Sequence, residues 1–86
     1  MNQAELIKLV EKGIRYKELH DSPTFRELVD ELGSNAFHKW NTCPIEDKET
    51  QFTAKLEFEA SKRIFAFCKS HMIAGQNAQK ELEKMP

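Results

Sequence analysis

The sequence predicts an all-α fold with three helices, because its apolar residues recur with helical spacing and two prolines mark helix starts. Two short breaks, each ending in a proline, divide the 86 residues into helices at about residues 4–20, 23–41 and 45–74. No segment alternates apolar and polar residues as a strand would. The third and longest helix follows the second through a short corner, so we expect these two helices to form an antiparallel hairpin.

The first predicted helix carries an apolar stripe at Leu6, Ile7, Val10 and Ile14, which is the spacing of one helix face. Charged residues occupy most of the remaining positions and indicate a solvated face. Gly13 lies inside the helix, where it costs about 1 kcal/mol relative to alanine. We therefore expect a kink or a close helix contact at Gly13.

The second predicted helix begins at Pro23, which suits the first helical position, after Ser22 as the N-cap. Its apolar residues fall within an arc of roughly 120° on a helical wheel. They are Phe25, Leu28, Val29, Leu32, Ala36 and Trp40. Because this stripe continues in phase beyond Gly33, we expect one uninterrupted helix to about Asn41.

The third predicted helix carries two apolar stripes, centred roughly 120–140° apart when successive residues are 100° apart. The first stripe consists of Phe52, Leu56, Ala60, Ile64 and Phe67. The second stripe consists of Ala54, Phe58, Phe65, Cys68 and Met72. Charged residues fill the remaining sector, where Lys55–Glu59 and Glu59–Arg63 have the spacing of ion pairs.

The predicted end of the third helix is near Gly75, a residue type that commonly stops helices. Most residues after it are polar, so residues 76–86 are predicted to be a frayed tail. Residues 1–75 would then form a single helical domain.

The third helix is expected to exceed its neighbours in length, at about 40–45 Å against roughly 25–28 Å for each of the others. One interpretation is a monomeric bundle in which the two shorter helices cover both stripes. Soluble monomers seldom expose an apolar patch of this size, however, so we expect the second stripe to associate with another chain. A symmetric dimer is the commonest such assembly. The expected interface residues are Phe58, Phe65, Cys68 and Met72.

Sequence motifs for catalysis are absent. The histidines and cysteines lack the spacing of metal ligands, and no glycine-rich nucleotide-binding motif occurs. The pair Cys68 and His71 is interpreted as a half-buried thiol beside a histidine at the edge of the core, since no third group orients them for nucleophilic catalysis. We therefore predict a non-enzymatic protein without a cofactor or a metal ion.

Four basic residues of the third helix form a candidate anion-binding strip. They are Lys55, Lys62, Arg63 and Lys69. Two alternatives to a self-associating interaction protein use this strip: an inhibitor or sequestering protein that binds a host-defence component or an anionic ligand, and a nucleic-acid-binding protein. The net charge of −1 disfavours the second, because duplex binders neutralise several phosphates.

The cellular location predicted from the sequence is the cytoplasm. The first residues lack the basic and apolar regions of a signal peptide, and no apolar stretch is long enough to span a membrane. Two cysteines, Cys43 and Cys68, are too few for a secreted disulfide scaffold. We expect both to be reduced thiols.

An ordered set of motifs occupies the second and third predicted helices. Residues 25–32 read Phe-Arg-Glu-Leu-Val-Asp-Glu-Leu, Ala36 and Trp40 follow, residues 44–47 read Pro-Ile-Glu-Asp, and a long amphipathic helix comes next. Over about residues 24–75 this order resembles small all-helical proteins encoded by tailed bacteriophages. The resemblance implies a phage accessory or virion-assembly role, in the host cytoplasm or in the virion. It implies no site residues, because none are established for the proteins it resembles.

Overall fold

The computed structural model describes residues 1–85 and confirms the all-α prediction. Three helices, α1 (Gln3–Asp21), α2 (Pro23–Thr42) and α3 (Lys48–Glu83), account for nearly all of these residues. No strand occurs within the described range.

Short polar caps define both ends of α1. At its start the Asn2 side chain accepts a hydrogen bond of 2.9 Å from the backbone N–H of Glu5, which satisfies one of the free donors of the first turn. At its end Ser22 leaves the helix with extended backbone, and its N–H donates to the carbonyl of Leu19. Ser22 is therefore the whole connection to α2, as the break before Pro23 predicts.

The second helix runs without interruption through Gly33, as its continuous apolar stripe predicts. The third helix begins at Lys48, three residues later than the predicted start at residue 45. The reason is Asp47, whose carboxylate accepts hydrogen bonds from the backbone N–H of Thr50 at 3.1 Å and from its hydroxyl at 2.6 Å. Asp47 is thus the N-cap of α3, and Pro44 and Ile45 belong to the preceding turn.

The hydrogen bonds from the Thr50 hydroxyl and N–H hold the pKa of Asp47 below its ordinary value. Their contribution to stability is therefore complete above the ordinary aspartate pKa and is lost as the pH falls through the lowered one. We expect the wild type to melt at a higher temperature than Asp47→Asn at neutral pH. The difference should vanish in strongly acidic buffer, where a protonated Asp47 resembles asparagine. Melting curves followed by circular dichroism would measure this.

Glu46→Gln is the control for Asp47→Asn, because it removes a neighbouring carboxylate that does not bond to Thr50. A melting difference for Asp47→Asn that is the same at acidic and neutral pH would contradict the role of the carboxylate.

The predicted end of α3 near Gly75 is wrong, because the helix continues to Glu83. Gly75 is buried against Gly13 of α1, and no described glycine has a positive φ. Residues 76–83 are therefore helical, and Ala78 in this segment is only 3% exposed. Packing on α1 holds this part of α3 in helical form, which the polar composition of the predicted tail did not reveal. Pro86, the last residue of that tail, lies outside the described residues.

The chain divides into two compact units. The terminal unit contains α1 and the part of α3 from Ala66 onward, and the hairpin unit spans Pro23–Phe65. In the hairpin unit α2 packs against the first part of α3, which confirms the predicted α2–α3 hairpin. In the terminal unit α1 packs against the last part of α3.

Small residues form the contacts between helices in both units. A Cβ atom added to Gly33 would lie 2.9 Å from the Ser61 hydroxyl oxygen, and one added to Gly13 would lie 2.9 Å from the Cα atom of Gly75. Four of the five buried small residues of α3 repeat every seven positions, as in heptad packing. They are Ala54, Ser61, Cys68 and Gly75. The expected close helix contact at Gly13 is thus confirmed.

Candidate interaction surfaces

The second apolar stripe of α3, predicted to bind another chain, is used inside the two units. In the hairpin unit the rings of Phe58 and Phe65 lie against Phe37 and Phe25, with centroid distances of 5.8 and 5.6 Å. In the terminal unit Cys68 is 3% exposed and Met72 is half-buried. Cys68 is therefore corrected from an interface residue to a buried residue, whereas Phe58, Phe65 and Met72 remain partly exposed.

The reason for this correction is that each of the two shorter helices packs on a different part of α3. The prediction assumed that neither helix could cover the second stripe along its length. In the structure α2 covers the part within the hairpin unit, and α1 covers the part within the terminal unit. The exposed stripe is the first one, which includes Phe52, Leu56 and Phe67.

An exposed apolar surface lies along one side of the hairpin unit, and we call it the apolar flank. It consists of Leu28, Leu32, Leu56, Ala60 and Ile64. Lys39 of α2 and Glu57 of α3 lie on this same side of the hairpin unit, where their charged groups are 3.8 Å apart. Leu32 lies seven residues before Lys39 and Ile64 seven after Glu57, so both project to the same side. The exposed fractions of Leu28, Leu32 and Leu56 are 55%, 46% and 54%.

A groove with a volume of about 810 Å³ opens on the other side of the hairpin unit, and we call it the aromatic groove. Its walls include the rings of Phe37, Phe58 and Phe65, and its floor includes Gly33 and Ser61. Polar residues form its α2 rim, namely Asp30, Ser34, His38 and Asn41. Asp30 follows Leu28 by two residues, and Ser34 follows Leu32 by two. Two residues correspond to a rotation of about 200° around α2, so the groove rim lies on the side opposite the apolar flank.

The basic residues predicted to contact anions do not all lie together. Lys55, Lys62 and Lys69 follow each other at seven-residue intervals, whereas Arg63 is turned about 100° from Lys62. Lys62 lines the aromatic groove, and its Nζ atom lies 4.3 Å from the centroid of the Phe58 ring. This distance is that of a cation–π contact.

The ion pairs expected at Lys55–Glu59 and Glu59–Arg63 do not form within the described part of the chain. The carboxylates that do pair with a lysine there are Asp21, with Lys17, and Glu57, with Lys39. Exposed pairs contribute only about 0–1 kcal/mol, which is too little to hold two long side chains in one geometry. Among the described residues, Lys55 and Arg63 therefore form no ion pair.

The structure places His71 against aromatic rings and leaves both cysteines as free thiols. The His71 ring contacts the rings of Tyr16 and Phe67 in the terminal unit, with centroid distances of 4.4 and 4.8 Å. Both cysteines are free thiols, and Cys43 donates a weak hydrogen bond to the carbonyl of Trp40. Among residues 1–85 there is no group of three metal-ligating side chains, and none of the described helices has the length and apolarity to cross a membrane.

Two features of these surfaces were missed by reasoning from the sequence. One is the position of Phe37 on a groove wall, and the other is Lys48, which begins the series that Lys55 continues. A search for seven-residue repeats would have found both this lysine series and the buried small residues of α3. The prediction used the apolar period of 3.6 residues. That period does not distinguish the lysine series or the buried small residues from the residues next to them on the helix.

Comparison of the chain with protein-family models, curated proteins and solved structures finds no match. The apolar flank and the aromatic groove are therefore the features from which we infer function.

Proposed function

We propose that this protein is a non-enzymatic helical interaction protein that forms a symmetric dimer through the apolar flank of its hairpin unit. The observation that supports this is the small core of that unit. Its buried hydrophobic residues are Val29, Ala36 and Ala54, none larger than a valine. The larger side chains Leu28 and Leu56 remain about half exposed.

The apolar flank contains enough surface for a weak dimer. Fully burying one leucine or isoleucine contributes about 1.5–3 kcal/mol, so covering the exposed half contributes about 1 kcal/mol. Four such side chains on each of two copies would contribute about 8 kcal/mol before the costs of association. Those costs are estimated at 4–15 kcal/mol. At the lower end of those costs about 4 kcal/mol remains, so we expect a reversible dimer with a Kd of about 1 mM or weaker.

The charges at the edge of the flank favour a second copy as the partner. Gly33 of α2 packs on Ser61 of α3, and the two helices run in opposite directions. Glu31 lies two residues before Gly33 and Arg63 two residues after Ser61, so Glu31 and Arg63 are at the same level along the hairpin. In a dimer whose two-fold axis runs parallel to the helices, α2 packs on α3 of the other copy. Glu31 then lies level with Arg63 of the partner subunit, at the same outer edge. Neither side chain forms an ion pair within its own chain among the described residues.

Sedimentation velocity up to millimolar concentration tests the dimer. We expect Leu32→Glu to be monomeric at concentrations where the wild type dimerises, because it places a charge in the centre of the flank. Ser34→Glu is the matched control, since it adds the same charge two residues away on the opposite side of α2. A wild type that stays monomeric, or a Leu32→Glu variant that still dimerises, would contradict the proposal.

The edge charges provide a second test. We expect Glu31→Arg and Arg63→Glu each to weaken the dimer, because each places two like charges at the same edge. The double variant should regain most of the lost affinity, since it restores opposite charges in exchanged positions. Equal affinity of both single variants and the wild type would exclude the proposed geometry.

We further propose an accessory or virion-assembly role in a tailed bacteriophage, with the protein acting in the host cytoplasm or in the virion. The resemblance of residues 24–75 to small phage proteins is what supports this role. We expect the gene to lie among genes for virion assembly, and a position among unrelated cellular genes would contradict it.

A further inference from the structure

The aromatic groove is a second surface on the hairpin unit, separate from the apolar flank. Phe37 stands on its α2 wall and is 46% exposed, although its ring also contacts Phe58 on the α3 wall. Gly33 has no side chain to fill the floor between the two walls. The groove therefore offers apolar ring surface at its centre and polar groups along its α2 rim.

A row of lysines extends along α3 from this groove toward the start of the helix. Lys48, Lys55 and Lys62 follow each other at seven-residue intervals, which places successive ammonium groups about 10.5 Å apart along the helix. Lys62 itself lines the groove. None of the three has a carboxylate within ion-pair distance among the described residues. The row thus presents evenly spaced positive charges along α3, of which Lys62 lies beside the apolar surface.

We propose that the aromatic groove binds an amphipathic helix of a partner protein that carries acidic residues at seven-residue intervals. Such a helix repeats its carboxylates at the same spacing of about 10.5 Å, so each can meet one lysine of the row. Its apolar face covers Phe37 and Phe58, as in other helix-in-groove complexes. This partner is a different protein from the second copy bound at the apolar flank, and its binding does not depend on the dimer.

The spacing and the opposite rim argue for a helix rather than a nucleic acid. Phosphates along one strand of a duplex advance by about 3.4 Å each along its axis, so a lysine every 10.5 Å would leave most of them without a partner. In addition, Asp30 lies on the α2 rim of the groove and would repel a polyanion that filled it. A helix can turn a neutral or basic side toward Asp30 while its acidic side meets the lysines.

Fluorescence anisotropy with a labelled synthetic peptide tests this proposal on the full chain. The probe is a helix-forming peptide of three heptads with leucines on one face and a glutamate at one flanking position of each heptad. The control peptide has lysine in place of these glutamates, and a single-stranded DNA oligonucleotide serves as a polyanion of another class. We expect the acidic peptide to bind and both controls to bind at least tenfold more weakly.

Variants of the protein assign the binding to the groove. We expect the triple variant K48Q/K55Q/K62Q to bind the acidic peptide about tenfold more weakly, because three exposed charge pairs are lost. Phe37→Ala should also weaken binding, whereas Leu32→Glu on the apolar flank should leave it unchanged, even where it abolishes the dimer. Circular dichroism confirms that each variant remains helical.

Three results would overturn the proposal. They are an acidic peptide that does not bind, a triple variant that binds it as tightly as the wild type, and an oligonucleotide that binds more tightly than the peptide. Because Leu32→Glu separates the two surfaces, failure of the dimer and failure of peptide binding are distinguishable.

Discussion

Replacing Gly13 with alanine is expected to lower the free energy of unfolding by about 1–3 kcal/mol, although alanine is the better helix former. The added Cβ atom would lie 2.9 Å from the Cα atom of Gly75 and 3.1 Å from the carbonyl oxygen of His71. Both are backbone atoms, which cannot rotate away as a side chain can. The two helices of the terminal unit must therefore separate, and the contacts around the crossing are lost.

Thermal or urea unfolding at fixed protein concentration measures this loss. For a chain of this length, 1 kcal/mol corresponds to roughly 4–8 °C in melting temperature. The matched control is Gly33→Ala combined with Ser61→Ala. Its added Cβ atom would meet the Ser61 Cβ at 3.7 Å once the hydroxyl is removed, which is an ordinary contact. We expect this double variant to be at least as stable as the wild type, and a Gly13→Ala variant of equal stability would contradict the close crossing.

Replacing Leu6 with alanine is expected to cost about 2–4 kcal/mol, because it leaves a cavity in the terminal unit. Leu6 is 3% exposed and is the largest buried hydrophobic residue of that unit, where the others are Cys68 and Ala78. Cys68 and Ala78 are both small and offer little volume to fill the space. The loss should therefore approach the cost of deleting a leucine from a core that does not collapse.

The neighbouring substitution Ile7→Ala is the control for Leu6→Ala. Ile7 is 42% exposed on the same helix turn, so its truncation should cost less than about 1 kcal/mol. Unfolding curves of the two variants, recorded under the same conditions, give the comparison. Equal losses for Leu6→Ala and Ile7→Ala would mean that α1 does not pack on α3 through Leu6.

Much of the fold could be predicted from local patterns. Ser22 and Pro23 mark the start of α2 correctly, because capping and a fixed φ angle are properties of single residues. Gly33 did not interrupt α2, as the stripe around it indicates. The start of α3 was less accurate, since Asp47 and Pro44 are both acceptable near a helix start and only the hydrogen bonds to Thr50 select Asp47.

The candidate site was harder to predict than the fold. Periodicity located both apolar stripes of α3, but they have similar size and hydrophobicity, so nothing local shows which one is covered. The covered stripe is the one that contains small residues such as Ala54 and Cys68, because close helix packing needs them. The predicted interface at Phe58 and Phe65 therefore became part of the packing within the hairpin unit.

Local sequence patterns account for the three helices, the hairpin of α2 with α3, and the rows of apolar and charged residues along them. These follow from backbone preferences and from the helical repeat, which act over a few neighbouring residues. Two outcomes required the three-dimensional packing: Gly75 lies against Gly13 instead of ending α3, and Leu28, Leu32 and Leu56 remain exposed. Those outcomes depend on which helices approach closely, and that approach joins residues far apart in the chain.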